Sequence, residues 1–535
     1  MENKNTVIAL LLMLLVWTGF TYFFPQQPKE IVNNNEKIVA NEEQRLISSE
    51  VTESNFIRTD NINKVAVPSI NLEQKNIVVE NDKFIATFSN VGAAIISFEL
   101  KKYTELNDPS SPIVSVVNNN DGIPTFITVG DDSLSLDQNL IFETNAPDKI
   151  LVNGDSSIKF TAVTSTGLVV TKIYNFTKDD YSFTSDLVLN NTANTYISGK
   201  LSVYMNNLWN DEMQGNRFDF IGPTSLVGGK INTDDVDDLK EKSIQYTSDI
   251  QWTGFQNKYF MNAVAPISPD SLENINLVFN NNVIKNILNF NHISIKPGDS
   301  YTTAFELYLG PKDVNQLKLA GHDLVKVVDF GFFELLARPL HTFLNFFYGY
   351  IGNYGVAIIL LTIILKMIFW PLTQKSYVSM RAMQTLQPEM KKIREKYSGD
   401  KEALNKKMME LYKENRVNPM GGCLPMLVQI PVFFALYKVL LGTIELRHAP
   451  FMFWITDLSI KDPYYITPVV MGLTMFIQQK LTPSTMDPMQ AKLMMAMPLV
   501  FTFMFLNFPA GLVIYWLVNN LLTIFQQYLI YRKSA

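Results

Sequence analysis

The sequence predicts a polytopic α-helical membrane protein that carries a large antiparallel β-sandwich domain. Several apolar runs are long enough to cross a bilayer, which takes roughly 20 apolar residues, and we predict six spans in all. Residues 76–325, between the first run and the others, instead alternate apolar and polar positions, as half-buried strands do. The net charge of −6 is also divided: residues 331–535 hold 20 Lys and Arg against 11 Asp and Glu, which leaves 25 against 40 for residues 1–330. An acidic part and a basic part indicate two environments.

Residues 1–24 are predicted to form an N-terminal transmembrane anchor, because the run Thr6–Phe24 is uncharged. A cleaved signal peptide is the alternative. Its apolar core is usually only about 7–15 residues long and is followed by small residues, whereas "PQQPKE" follows here. Residues 25–75 are rich in Asn, Glu and Gln, a composition typical of a polar tether.

Residues 76–325 are predicted to form the β sandwich. Alternating stretches such as "KFIATFS", "IKFTAV" and "YSFTSDLVL" recur, and the turn signals "NGD", "STG" and "KDD" separate them. Turn signals at about every dozen residues are typical of an all-β sandwich. A segment of this length can bury a core of its own.

An aromatic, amphipathic segment links this domain to the remaining apolar runs. Residues 326–349, which include "FGFFELLARPLHTFLNFFYG", are predicted to form a helix at the membrane surface. Residues 350–535 are then predicted to form a bundle of spans. The spans are expected at Tyr350–Leu372, Cys423–Gly442, Tyr464–Gln479, Leu493–Phe508 and Gly511–Ile530.

Loop charge predicts the orientation of the bundle, since basic loops stay in the cytoplasm. Loop 374–416 holds 11 Lys and Arg against 6 Asp and Glu and is therefore placed in the cytoplasm. Loop 443–463 holds two basic residues against three acidic ones, which favours the other side. Six spans then put both chain termini in the cytoplasm and the β domain outside.

Residues 382–415, inside the basic loop, are predicted to form a helical hairpin. Apolar residues recur every three or four positions on both sides of the turn signal "SGD", so each short helix has one apolar seam. The seam consists of Met383, Leu386, Met390, Ile393, Tyr397, Leu404, Met408 and Leu411. The basic outer faces have two open interpretations: they contact anionic lipids or ribosomal RNA, or they act only as a topology signal.

Lys366 interrupts the apolar run "LLTIILKMIFWPL". It lies six residues before Leu372, about 9 Å from the predicted helix end at 1.5 Å per residue, so it could snorkel to the headgroups. Thr362 lies one turn before Lys366 and shares its helix face. Other polar residues lie at a similar depth in the neighbouring spans. They are Gln429, Thr474, Gln478, Asn519, Asn520 and Thr523, and Gln526 and Gln527 continue the last stripe. Independent interhelical contacts would scatter across the bilayer, so this shared depth predicts a hydrophilic cavity open to the cytoplasm, with Lys366 as its charge.

Several function classes lack their motifs in this sequence. No GxxxxGK[ST] run supplies a nucleotide site, and neither HExxH nor GxSxG occurs. The four histidines are scattered and the single cysteine is Cys423, so the sequence offers no zinc cluster. We therefore predict no enzyme activity, no cofactor and no metal.

Four segments of the bundle resemble the YidC membrane insertases of Gram-negative bacteria, a family with mitochondrial and chloroplast relatives. They are "NPMGGCLPMLVQIPVFFALYKVL" (418–440), "DPYYITPVVMGLTMFIQQK" (462–480), "DPMQAK" (487–492) and "FPAGLVIYWLVNNLLTIFQQYLIYR" (508–532). In the β domain, "NVGAAIISFELKKY" (90–103) and "WTGFQNKYF" (252–260) are similar to the family too. The resemblance covers nearly the whole chain.

The resemblance implies five core helices after the anchor, a periplasmic β domain, and a groove open to the cytoplasm and the lipid. It further implies a bacterial inner-membrane insertase and chaperone for nascent membrane proteins, acting alone or with the Sec translocon. Lys366 stands at the position of the groove's positive charge, where most bacterial relatives carry arginine, so the bidentate fork of arginine is absent here. Tyr515 and Trp516 match the aromatic pair on the substrate path, and Gln429 matches a groove position.

Two other function classes stay open on the residues alone. A transporter or channel would place Lys366 in the permeation path and predicts paired repeats, of which the sequence shows no convincing example. A purely structural anchor for the β domain would tolerate replacement of the last five spans by any single span.

Overall fold

The computed structural model describes residues 73–108, 110–117, 123–210, 213, 220–415, 417, 424–481 and 488–533. The predicted anchor at 1–24 and residues 25–72 of the predicted tether lie outside the described residues. Cys423 and the start of the motif at 418–440 also lie outside them. Within the described part of the chain, a β-rich region is followed by a helical region.

The β-rich region occupies the predicted segment. Its strands are β1 Asn76–Glu80, β2 Phe84–Ser89, β3 Ala94–Thr104, β4 Ile113–Val117, β5 Ile127–Gly130, β6 Lys149–Leu151, β7 Ser156–Val163, β8 Leu168–Phe176, β9 Ser182–Asn191, β10 Ile197–Gly199, β11 Leu201–Leu208, β12 Gly222–Val227, β13 Lys230–Thr233, β14 Ile244–Tyr246, β15 Ile250–Gln256, β16 Phe260–Pro266, β17 Leu272–Asn280, β18 Val283–Phe290, β19 Ile293–Ile295 and β20 Ser300–Pro311.

The largest sheet has eight strands in the order β13-β12-β15-β16-β20-β9-β8-β7. Two five-stranded sheets have the orders β4-β3-β2-β1-β6 and β14-β17-β18-β11-β5, and β10 pairs with β19. The β-rich domain is thus confirmed, but the prediction of a purely antiparallel sandwich is wrong at one edge, where β1 and β6 are parallel. A parallel pair needs a long crossover, and the chain between β1 and β6 supplies it by first building β2 to β5.

Alternation along the strands builds the core between the sheets. In β8 every second side chain from Leu168 to Phe176 is buried, and Tyr174 packs against Phe88 with ring centroids 4.7 Å apart. This period of two is what the sequence pattern indicated. One of the buried positions of β8 is occupied by Lys172, whose Nζ donates to the backbone carbonyl of Phe126 at 2.6 Å.

The described helices are α1 Val236–Glu241, α2 Val314–Ala320, α3 Glu334–Ile351, α4 Tyr354–Thr385, α5 Gln387–Lys396, α6 Lys401–Glu414, α7 Leu424–Gly442, α8 Ile466–Leu481, α9 Pro488–Phe505 and α10 Ala510–Lys533. The predicted surface helix at 326–349 corresponds to α3, which begins later because short 3-10 turns occupy 324–327 and 331–333. In the bundle α10 packs against α4 and α8, while α3 packs against α4 and α7.

Each of the five predicted bundle spans contains a helix. By length and composition, α4 and the segment Ala510–Ile530 of α10 could cross a membrane, whereas α7 and α9 contain the shorter apolar stretches Gln429–Gly442 and Met494–Phe505. The count of six spans therefore stays a prediction. The helix itself does not end at the predicted span boundary of Leu372, because α4 is 32 residues long and runs through Pro371 to Thr385.

The predicted hairpin is formed by α5 and α6, joined at the expected turn. Its apolar seam buries Met383, Leu386, Met390 and Leu411 against one another. The Asp400 side chain caps α6 by accepting hydrogen bonds from two backbone N–H groups at 3.0 Å. The first arm is continuous with α4 up to Thr385, so the hairpin is a direct extension of the helix that carries Lys366.

Candidate functional site

The ammonium group of Lys366 lies inside the bundle. The residue is 7% exposed, and its Nζ donates to the Oγ1 of Thr523 on α10 at 2.6 Å. Among the described residues, no carboxylate oxygen lies within the 4.0 Å ion-pair distance of this nitrogen. Because the side chain turns toward α10, the snorkelling interpretation does not describe this structure.

A small cavity lies beside Lys366 between α4, α7 and α10. Its volume of about 10 Å³ leaves room for about one water molecule. Its lining residues are Thr362, Leu365, Lys366, Phe369, Thr373, Gln429, Val432, Tyr515 and Asn519. The structure therefore brings together predicted site residues from three helices, around a cavity much narrower than a groove.

Gln429 connects α7 to α10 across this cavity. Its Nε2 donates to the hydroxyl of Tyr515 at 3.1 Å and to the Oδ1 of Asn519 at 3.4 Å. Such interhelical bonds are worth only about 0.6–2 kcal/mol each in a membrane bundle. The cavity wall is thus held by contacts that a polar ligand could replace.

Two threonine hydroxyls around the cavity are oriented by their own helices. Thr523 donates to the carbonyl of Asn519 one turn earlier at 2.7 Å, which leaves its oxygen free to accept from Lys366. Thr362 donates to the carbonyl of Ile358 at 2.6 Å. A neutral hydroxyl compensates a buried ammonium only in part, so the site attracts an anion.

A second polar contact, between Gln526 and Thr373, lies nearer the hairpin. The sequence indicated Gln526 but not Thr373. Gln526 of α10 donates through Nε2 to the Oγ1 of Thr373 at 2.8 Å and to the carbonyl of Trp370 at 3.3 Å. Sequence reasoning missed Thr373 because it ended the span at Leu372. The spacing of seven residues from Lys366, two helical turns, was the available signal.

Four other predicted site residues lie elsewhere. Asn520 faces α8, where its Nδ2 donates to the Oγ1 of Thr474 at 3.4 Å. Gln478, also on α8, is partly buried and does not line the cavity. Trp516 packs edge-on against Phe433, with ring centroids 4.8 Å apart. The predicted polar stripe of α10 is thus divided between two helix faces.

At the end of the bundle nearest the β domain, the loop before α8 is tied to the start of α10. The backbone N–H of Ala510 donates to the carbonyl of Ile460 at 2.7 Å. The buried carboxylate of Asp462 accepts hydrogen bonds from Thr467 at 2.7 Å and from the indole of Trp454 at 3.0 Å. Between this end and Lys366, side chains of α4 such as Ile358 and Leu361 belong to a cluster of buried apolar residues.

The same loop joins the bundle to the β domain. Arg447 donates to the backbone carbonyls of Thr104 and Glu105 at 2.6 and 3.1 Å, and Asn107 donates to the carbonyl of Thr456 at 2.7 Å. The guanidinium carbon of Arg447 also lies 5.4 Å from the ring centroid of Phe260.

No group of three His, Cys, Asp or Glu within the described ranges is placed to hold a metal ion.

Two family models match the chain. The model described as the 60Kd inner membrane protein matches residues 346–535, and the model described as the YidC periplasmic domain matches residues 76–343. The matches cover the described bundle and the described β-rich domain respectively. Together they define an inner-membrane protein with a periplasmic domain.

Full-length relatives agree with this class. The membrane protein insertase YidC of Geotalea daltonii is 44% identical over 98% of this chain and 98% of its own length. That of Geobacter sulfurreducens is 42% identical over 100% and 99%. A solved structure of an active YidC insertase with its first transmembrane domain resolved matches with a TM-score of 0.36 and 17% identity, over 85% of this chain and 92% of that chain.

The chain belongs to the YidC family of membrane protein insertases. The family resemblance predicted from the motifs is confirmed. Because relatives across the full length are named as insertases, this is a family of insertases and not of enzymes.

Proposed function

We propose that this protein inserts nascent membrane proteins into the inner membrane and helps them fold, using the cavity at Lys366 to receive the polar flank of the substrate. The observation that carries the proposal is a buried ammonium, 7% exposed, whose hydrogen-bond partner is one hydroxyl. An ionisable group in a membrane helix is costly and is retained for function. An acidic flank is the substrate chemistry that this charge fits.

The energetics of partitioning supply the driving force. An apolar segment enters the bilayer at roughly −0.3 to −0.6 kcal/mol per Leu-type residue, whereas an Asp at the centre costs about +2.5 to +3.5 kcal/mol. A polar site inside the bundle shortens the dry distance that an acidic flank must cross. A membrane potential positive outside adds about 2.3 kcal/mol per charge per 100 mV.

The cavity must widen to hold a peptide, since it now has a volume of about 10 Å³. We expect the contacts of Gln429 with Tyr515 and Asn519 to open first, because they cross between α7 and α10 and the one with Asn519 is long, at 3.4 Å. The substrate's polar groups would replace them. The predicted groove, open to the cytoplasm and the lipid, would then be the substrate-bound form of this cavity.

Orientation and partners follow from the same proposal. The hairpin end would face the cytoplasm, both termini would be cytoplasmic, and six spans would include the predicted anchor. The hairpin, an extension of α4, would contact the ribosome or anionic lipids through its basic faces. The Sec translocon would be a further partner, as the family resemblance implies.

A transporter or channel is the second candidate, favoured only by the burial of a charged group in the bundle. The apolar core and the hydrogen-bonded loop between Lys366 and the β-domain end argue against a continuous path. Reconstitution into sealed vesicles separates the two functions. We expect a nascent chain with an acidic tail to become protected from added protease while small-solute flux stays at the level of empty vesicles, and flux without protection would refute the proposal.

A further inference from the structure

The 3-10 turn Ile444–Leu446, which follows the last residue of α7, Gly442, packs into two hydrophobic cores. Ile444 belongs to the buried core of the β-rich domain, whereas Leu446 belongs to the buried core of the bundle. Glu445 lies between them in the chain, and its carboxylate contacts α3. This one turn therefore joins the β-rich domain, α3 and the Gly442 end of α7.

Two polar side chains of α3, one helical turn apart, contact the carboxylate of Glu445. The Nε2 of His341 lies 3.1 Å from its Oε1, and the Nδ2 of Asn345 lies 3.3 Å from the same oxygen. His341 is buried and Glu445 is partly buried. The contact is therefore an ion pair largely shielded from water whenever the imidazole is protonated.

The side-chain amide of Asn345 lies within reach of two alternative acceptors. Its Nδ2 is 3.2 Å from the Nε2 of His341 as well as 3.3 Å from Glu445. The hydroxyl of Tyr354 on α4 donates to the Oδ1 of Asn345 at 3.2 Å, which directs the amide nitrogen toward the pair. A protonated Nε2 can only donate, so the amide then bonds to Glu445. A neutral imidazole with its proton on Nδ1 instead offers Nε2 as an acceptor to the amide and has no proton there for Glu445.

Histidine is the member of this cluster that changes charge near neutral pH, since imidazoles ordinarily do so between about pH 5 and 8. Burial by itself would raise the pKa of the Glu445 carboxyl, but hydrogen bonds from His341 and Asn345 and the charge of His341 lower it overall. Glu445 thus stays ionised in that range. The ion pair is complete on the acid side and is lost as the pH rises.

Further ionisable groups surround this cluster in the described structure. They are Tyr103 of β3, Tyr348 of α3, Tyr354 of α4, Asp313 and Arg447. Burial raises the pKa of Tyr103, so this phenol stays neutral where histidine titrates. His448 is the histidine of the same loop, and its Nε2 lies 4.0 Å from the carboxylate of Asp457. A pH effect at this turn must therefore be assigned to one of two histidines.

We propose that His341 and Glu445 form a pH-dependent fastening of the Gly442 end of α7 to α3, in which Asn345 changes its acceptor when the imidazole loses its charge. The same helix α7 carries Gln429, which bonds across the cavity at Lys366. At acidic pH the fastening restrains α7 from moving away from α10, and at alkaline pH it releases α7. This consequence for insertion rests on the proposed function, whereas the fastening itself does not.

Hydrogen exchange of the full-length protein in detergent micelles tests the fastening without any substrate. The reporters are the backbone amides of Thr443, Leu446 and Arg447, which donate hydrogen bonds at this turn at 3.2, 3.4 and 3.0 Å. His341→Gln keeps a neutral donor but removes the titratable charge. Dividing its exchange rate by that of the wild type at each pH cancels the intrinsic chemistry of exchange. We expect a ratio of about ten at about pH 6, where a hydrogen bond to a charged group is lost, and of about one at about pH 8.

Glu445→Gln should show the same decline of the ratio with pH, because it removes the other charge of the pair. The matched controls are His448→Gln in the same loop and His322→Gln in the β-rich domain, where His322 pairs with Glu306 at 2.9 Å. Both controls should leave the reporter amides at the wild-type rate. The proposal is overturned if the ratio for His341→Gln is the same at both pH values, or if His448→Gln produces the decline instead.

Insertion of a substrate with an uncharged translocated tail into vesicles measures the consequence for function, with both sides of the membrane at one pH. His341→Gln should insert faster than the wild type at the acidic pH, by up to about tenfold, since release cannot assist opening by more than the fastening is weakened. The two proteins should insert equally at the alkaline pH. Equal rates at both pH values would refute the link to insertion, whereas a wild type that inserts at neither pH would refute the proposed function instead.

Discussion

Replacing Lys366 with alanine removes the charge on which the proposed function depends. At 4 Å and an effective dielectric constant of about 20, two unit charges attract by about 4 kcal/mol. Desolvation of the arriving carboxylate cancels part of this, which leaves about 1.5–3 kcal/mol, the usual value for hydrogen bonds to charged groups. At about 1.4 kcal/mol per factor of ten, Lys366→Ala should slow insertion of an acidic-tailed substrate by about ten- to a hundredfold.

The assay is insertion of a translated substrate into vesicles that contain the purified protein. One substrate has an aspartate-rich translocated tail, and its partner has asparagine at the same positions. The asparagine substrate should lose little activity, because it has no charge to pair. Lys366→Arg should be tolerated, since the cation is retained.

Lys438 offers a matched control, because it is a partly buried lysine of α7 that does not line the cavity. Lys438→Ala should reduce insertion of both substrates equally or of neither. The electrostatic role of Lys366 is refuted if Lys366→Ala inserts the aspartate substrate at the wild-type rate. It is also refuted if both substrates slow by the same factor.

Three further predictions concern packing and the β domain. A Cβ at Gly472 of α8 would collide with the hydroxyl of Thr502 on α9, so Gly472→Ala should lower the free energy of unfolding by about 1–3 kcal/mol in detergent, and Thr502→Ala should restore most of it. Burial lowers the pKa of Lys172 well below 10.5, so in this pH range the unfolded chain binds one more proton than the folded chain. The free energy of unfolding should therefore rise with pH up to about 10.5. Lys172→Met should flatten that rise in calorimetric scans, and an unchanged slope would contradict the assignment. Arg447→Ala removes two donors to carbonyls at the end of β3, so hydrogen exchange at this junction should accelerate, whereas Lys461→Ala should leave it unchanged.

The sequence allowed the division of the chain to be predicted because each part has its own periodicity. Alternation along strands such as β8 and the spacing of the hairpin seam both reflect which side chains are buried, and burial follows from local pattern. The parallel pairing of β1 with β6 was not predictable in this way. It joins segments about 70 residues apart, and no local pattern specifies that register.

At the candidate site, sequence predicted the depth of the polar residues but not their partners. Depth follows from position along a span, and Lys366, Gln429 and Asn519, which the sequence grouped by depth, line one cavity in the structure. Which face of α10 meets which neighbour depends on helix rotation, which packing decides. Asn519 and Asn520 are adjacent in sequence, yet one lines the cavity and the other contacts α8.

The proline inside α4 shows a further limit. A proline at position 371 favours a helix end in the sequence, since it removes a hydrogen bond. In the structure α4 nevertheless continues through Pro371, and the hydroxyl of Thr373 lies within hydrogen-bond distance of the carbonyls of Phe369 and Trp370, at 3.0 and 3.1 Å. The continuation carries α4 into the hairpin, so a single helix joins the cavity at Lys366 to the hairpin.

Site-specific photo-crosslinking to a stalled nascent chain tests whether the cavity at Lys366 receives the substrate's polar flank. The photoreactive residue is placed in turn at Gln429 and Tyr515, which line the cavity, and at Leu521, an exposed residue of α10 outside it. We predict that the acidic flank crosslinks from positions 429 and 515 and not from 521. Equal crosslinking from all three positions, or from 521 alone, would contradict it.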